Sequence, residues 1–276
     1  MRLRHTAVGA LVTGLVLIAA PTAPAGAAAP ADPPGCTRTG LPSGGVHIVC
    51  AQGVPVDTTL NGTGKADIIE VRGGDAATGH LSGTVNGLGG DDVIVVDRIL
   101  GNGGGRHIPG VIDGGDGDDK ITVTDKDDWP VLGLIYGGAG NDTITVAELG
   151  GPLHGGPGDD EIAVYGFALV NSRTPKTATV EGDEGDDVIR VGATGATDNV
   201  RTTHVSGGAG ADLIEVPSVG QGRGATVSGD DDDDVIQGPG GTAVAVGPYG
   251  TVDGGRGDNL CRTDNRDGGT VTNCRA

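Results

Sequence analysis

The sequence predicts an all-β protein built as a solenoid, in which short coils stack and bury a narrow apolar core between them. Three observations carry that expectation. Gly supplies 56 of the 276 residues, far above the roughly 7% of ordinary chains. Large side chains are scarce, with one Trp, one Phe, three Tyr and one Met, so a wide globular core lacks the groups that would fill it. A Gly/Asp pattern also recurs in phase along the chain, and repetition of this kind takes precedence in any argument about fold.

The copies are "GTGKADIIEV" (62–71), "GLGGDDVIVV" (87–96), "GGDGDDKITV" (114–123), "GGAGNDTITV" (137–146), "GGPGDDEIAV" (155–164), "GDEGDDVIRV" (182–191), "GGAGADLIEV" (207–216) and "GDDDDDVIQG" (229–238), with "GGRGDNLCRT" (254–263) as a degraded last copy. The sixth position reads Asp67, Asp92, Asp119, Asp142, Asp160, Asp187, Asp212 and Asp234, then Asn259. The eighth reads Ile69, Ile94, Ile121, Ile144, Ile162, Ile189, Ile214 and Ile236, then Cys261. Successive sixth positions lie 25, 27, 23, 18, 27, 25, 22 and 25 residues apart, mostly within the solenoid range.

A second β-prone segment precedes most turns, as in "TVNG", "VIDGG", "LIYGG", "PLHGG" and "TVEGD". Each unit thus reads as a short strand, a Gly/Asp turn and "D-x-I-x-V". The alternation of Ile and Val has the period of a strand with one buried face. A lone unit cannot bury that face, whereas stacked units can. Variable stretches such as "DRILGNGGGRHIPG", "DKDDWPVLG", "YGFALVNSRTPKTA" and "PSVGQGRGA" are expected at the opposite edge of each coil, because lengthening a loop costs little entropy. The expected organisation is a signal segment at 1–27, a lead-in and disulfide cap at 28–61, a solenoid at 62–253, and a last repeat with its own cap at 254–276. No helix is expected in the stack.

The formal net charge is −19, and only six of the 37 acidic residues are Glu. A merely solvated surface has no need of Asp over Glu. Asp suits tight turns and holds its carboxylate close to backbone carbonyls. The acidity disfavours nucleic acid as a partner. At the N-terminus, Arg2 and Arg4 precede an apolar run at 7–20 and small residues around Ala25-Gly26-Ala27, a secretory pattern. That run is short for a membrane span, and no later segment resembles one. The expected location is extracellular, with no membrane span after cleavage. An oxidising destination allows disulfides. Four cysteines permit three connectivities, of which the local pairs Cys36–Cys50 and Cys261–Cys274 are expected. Neither pair has the C-x₂₋₄-C spacing of a zinc site.

"GGDGDDKIT", "GGAGNDTIT", "GGPGDDEIA" and "GGAGADLIE" match G-G-x-G-x-D-x-U-x at every fixed position, the calcium-binding repeat of RTX proteins. The chain therefore resembles the hemolysin-type calcium-binding repeat family over roughly 62–262. The resemblance implies a right-handed parallel β-roll with calcium between the turns of adjacent coils. It also implies Asp92, Asp119, Asp142, Asp160, Asp187, Asp212 and Asp234 as primary carboxylates, with Asp67 weaker because its turn is "GTGKAD". Family repeats often follow every nine residues; here one spacing of 18 stands among longer ones, so a single column of sites is expected. Calcium takes six to eight oxygens, and flexible shells of this kind suit it better than magnesium.

Catalysis has little support. G-x-S-x-G and H-E-x-x-H are both absent from the sequence. His47, His80, His107, His154 and His204 stand in unlike positions relative to the repeat, and surface roles are the simpler reading for His154 and His204. "RGD" at 256–258 and the sequons "NGT" and "NDT" fall in or beside repeat turns, where chance explains them. Trp129 and Phe167 lie in variable segments, as partner anchors or as packing. The expected function is a secreted, calcium-stabilised β-roll with a structural or binding role and no enzymatic activity, its further partner a cell-surface glycan or protein. The alternatives are a polysaccharide-degrading solenoid enzyme and a cell-surface adhesin.

Overall fold

A computed structural model describes residues 31–73, 80–99, 110–124, 133–167, 177–192, 202–221 and 224–275. The secretory pattern at 1–27, His107 and Trp129 lie outside these residues. The chain divides into two units, Met1–Ala31 and Asp32–Ala276. The second unit is an all-β, mostly parallel β-solenoid. An eleven-stranded and a ten-stranded sheet face each other, with a three-stranded sheet at the side.

The "D-x-I-x-V" segments build the first sheet. Ile48, Ile69, Ile94, Ile121, Ile144, Ile162, Ile189, Ile214, Ile236 and Cys261 stand side by side in parallel register. The nine Ile are fully buried. The second β-prone segments build the facing sheet. Its inner row runs through Leu60, Val85, Ile112, Ile135, Leu153, Val180, Val205, Val227, Val252 and Val271. The core is the seam between these rows. Full burial of a Val, Leu or Ile contributes about 1.5–3 kcal/mol, and only the neighbouring coils supply that burial. Branched aliphatics suffice because the gap is narrow.

Val46–Cys50 is the first parallel strand of the stack, and it lies within the 28–61 lead-in. Cys36–Gly40 pairs antiparallel on its outer edge, covering backbone groups that would otherwise invite another chain. The disulfides are Cys36–Cys50 and Cys261–Cys274, as expected, so no thiol is free.

The edge formed by the variable stretches is more regular than their unequal lengths suggest. Ser218–Val219, Val244–Val246 and Thr263–Asp264 form a parallel sheet there, and Val54, Leu81 and Ile99 are linked by parallel bridges. All three of these, with Val219 and Val246, are fully buried. Apolar residues inside the variable stretches thus close the core as a third wall. A 3-10 turn at Pro239–Gly241 is the helical element among the described residues. No helix there is long and apolar enough to cross a membrane.

Candidate metal centre

Each turn links a strand of the second sheet to one of the first. In GGDGDD the second and fourth residues, Gly115 and Gly117, take φ of 112° and 132°, where side chains with a Cβ are strained. The first glycine has a different role. Pairing steps over it: Asp113 pairs with Tyr136 and Gly115 with Gly138, omitting Gly114 and Gly137. The same step occurs at Gly155 and Gly182, and at Gly207 and Gly229. A Cβ on Gly114 would lie 2.4 Å from Asp119 Oδ2 and 2.2 Å from the Gly137 carbonyl oxygen. The missing Cβ leaves room for the column carboxylate.

The eight Asp of the sixth position form one buried column, each at most 2% exposed. Their Oδ1 atoms make a ladder along the stack. The Asp67 amide donates to Asp92 Oδ1 at 2.7 Å, Asp92 to Asp119 at 2.7 Å and Asp119 to Asp142 at 2.8 Å. The ladder continues through Asp160, Asp187, Asp212 and Asp234. The Asp234 amide closes it on Asn259 Oδ1 at 2.7 Å.

The second oxygen is what distinguishes the column. In Asp92, Asp119, Asp142, Asp160, Asp187, Asp212 and Asp234 the Oδ2 atom is buried without a hydrogen-bond partner among the described residues. An orphaned buried carboxylate oxygen is costly. Asp67 differs in that Thr63, at position two, lacks the positive φ that Leu88, Asp183 and Asp230 keep there. The Thr63 amide donates to Asp67 Oδ2, and the Thr63 hydroxyl and the Val46 amide donate to Oδ1, so both oxygens of this member are engaged. At the far end Asn259 brings an uncharged amide whose Nδ2 donates to the Arg256 carbonyl.

Burial pushes seven of the column carboxyls, those from Asp92 to Asp234, up from their ordinary value, and neighbouring carboxylates add to it. Asp119 and Asp187 rise to about 6. Asp92, Asp142, Asp212 and Asp234 rise to about 7, and Asp160 to about 8. The backbone amide received by each one acts in the opposite direction without cancelling the burial. Near neutral pH the column therefore favours either protons or a cation. The donors are all oxygens, comprising free Oδ2 atoms and the adjacent glycine carbonyls. That set suits a hard cation.

A second ladder was not anticipated from the sequence. At position five the Asn141 amide donates to Asp118 Oδ1, the Asp159 amide to Asn141 Oδ1, the Asp186 amide to Asp159 Oδ1 and the Asp258 amide to Asp233 Oδ1. Here the later coil donates to the earlier one, opposite to position six. Asp118, whose place Ala takes in two of the copies, is thus a regular member. The signal was present as Asp91, Asp118, Asn141, Asp159, Asp186, Asp233 and Asp258 in the fifth column. The exceptions Ala66 and Ala211 obscured it. Ala211 can still take part because its backbone amide donates to Asp186 Oδ1.

The other residues flagged in the sequence fall elsewhere. His47 Nε2 meets Glu70 Oε1 at 2.9 Å, and burial pushes the His80 imidazole down. The arms of "RGD" are exposed and make surface ion pairs, Arg256 with Asp231 and Asp258 with Arg275. Phe167 packs against the core. No family model, curated protein or solved structure matches this chain.

Proposed function

We propose that the chain is an extracellular calcium-binding β-solenoid with a structural or binding role, related to the RTX-type repeat proteins and not an enzyme. The observation that carries this reading is the row of buried, unpartnered Oδ2 atoms from Asp92 to Asp234. Hydrogen bonding among the described residues leaves these oxygens without partners, and a hard cation supplies what they lack. Asp92, Asp119, Asp142, Asp160, Asp187, Asp212 and Asp234 would hold the ions, with glycine carbonyls of adjacent coils beside them. Asp67 and Asn259 mark the weak ends. Bound calcium supplies positive charge to a column that otherwise repels itself, and so couples the stacking of coils to the ion. The secretory pattern and the two disulfides support an extracellular setting, where millimolar calcium can fill weak sites.

Calorimetric titration of EGTA-stripped protein with calcium, alongside thermal melts, tests the reading. Calcium at about a hundred times its Kd should add about 2.7 kcal/mol per site by mass action. Asp142→Asn keeps an Oδ1 acceptor for the Asp119 amide and removes the charge. Its calcium-induced gain in Tm should be smaller than that of the parent. No binding heat together with an unchanged Tm would overturn the proposal.

A further inference from the structure

A second cluster lies on the outer face of the ten-stranded sheet, where His154 and Glu181 follow the buried Leu153 and Val180. We propose that His154, Glu181 and Asp183 form an independent site for a divalent transition-metal ion of the zinc class. His154 and Glu181 are direct neighbours in parallel register, and Asp183 follows two residues after Glu181. Period two places the two acids on one face. His154 Nδ1 lies 3.2 Å from Asp183 Oδ2 and 3.4 Å from Glu181 Oε2, and the three donor atoms lie within 4.8 Å of one another. A tetrahedral ion with bonds of about 2.0–2.1 Å separates its ligands by about 3.3–3.5 Å, so the two nitrogen–oxygen separations already approximate the edges of such a shell.

Three further features favour an ion over a simple imidazole–carboxylate contact. The Tyr136 ring stacks on His154 at 5.3 Å and 13°, which fixes the imidazole plane. Asp183 stands at φ 80° in the turn slot that Gly115, Gly138, Gly156 and Gly208 occupy at 112–127°, so a side chain is retained there at a backbone cost. All three side chains are about one-third exposed. His154 and Asp183 border a groove that Asp113, Tyr136 and Pro157 help to line, which leaves an approach for the ion and an open coordination position. Asp230 provides an internal contrast. It takes the same slot at φ 79°, but it accepts from the Ser206 and Ser228 hydroxyls. A position-two Asp alone is therefore no metal marker; the added imidazole and Glu181 distinguish this site. The nitrogen also separates it from the all-oxygen column, since imidazole suits zinc-class ions and calcium prefers oxygen.

The test is zinc titration of the full chain held in saturating calcium, with cobalt substitution as the spectroscopic readout. His154→Gln removes the nitrogen. Asp183→Gly restores the residue most other turns use and relieves the backbone, so it should fold at least as well as the parent. The parent should bind one zinc that calcium does not displace and show the visible bands of tetrahedral cobalt. Both variants should weaken zinc at least tenfold and lose those bands, and His154→Gln should leave the response to calcium unchanged. Parent-like zinc affinity in both variants, or no zinc binding by the parent, would overturn the site. Neither result depends on whether the Asp column takes calcium.

Discussion

Glycine has two distinct roles within one turn. At the second and fourth positions it permits positive φ; at the first it makes room. Gly137 is of the second kind, since a Cβ there would lie 2.3 Å from Asp142 Oδ2 and 2.5 Å from the Gly155 carbonyl oxygen. Gly137→Ala should therefore cost about 1–3 kcal/mol in urea unfolding, the range for overpacking. Gly64 has nothing within 4 Å of its Cβ direction and no positive φ, so Gly64→Ala should be neutral or stabilise by up to about 1 kcal/mol. Equal destabilisation by the two substitutions would refute the steric account. The sequence marks all these glycines alike, and only the folded turn, with its own Asp and the next coil's carbonyl, distinguishes them.

At the scale of the element, one coil is two strands and a turn, and it is incomplete without its neighbours. That makes the terminal coils the weak ones. The first is covered by Cys36–Gly40 and bonded through Cys36–Cys50. The last is tied by Cys261–Cys274, with Cys261 occupying the place that Ile holds in the full repeats. Replacing both Cys261 and Cys274 by Ser removes a cross-link spanning 13 residues. The expected loss is about 2–4 kcal/mol, with hydrogen exchange rising first in the last coils. Uniformly faster exchange along the stack would show that the coils do not open from their ends. Pairing of the cysteines was legible from their spacing and placement. The third wall was not, because its apolar residues have no fixed phase within stretches of unequal length.

Across the whole molecule, the Asp column governs the response to pH. In the unfolded chain these carboxyls titrate near about 3.9; in the metal-free fold most rise to about 6 or 7, and Asp160 to about 8. A raised pKa means that the folded state holds more protons between those values. The associated stability is fully present below about pH 4 and is lost as pH climbs through 6 to 8. In EGTA, Tm should fall between pH 5 and pH 8.5. In calcium that fall should shrink or vanish, because the ion replaces the protons. A metal-free Tm that rises over this interval would contradict the buried column.

From the sequence alone come the repeat, its phase, the alternation that forms the inner rows, the single column of Asp and the pairing of the four cysteines. These are properties of period and residue type, and a chain with this period has few ways to bury its Ile except by stacking. The tertiary structure decided which oxygen of each Asp is engaged and which is left free, why the first glycine must lack a side chain, and that position five forms a ladder of opposite sense. It also brought His154 beside Glu181 and Asp183. Each of these depends on contacts between residues 18 to 29 positions apart, across coils of unequal length. Local pattern carries no record of such distances, because the register between coils is set by the packed stack as a whole.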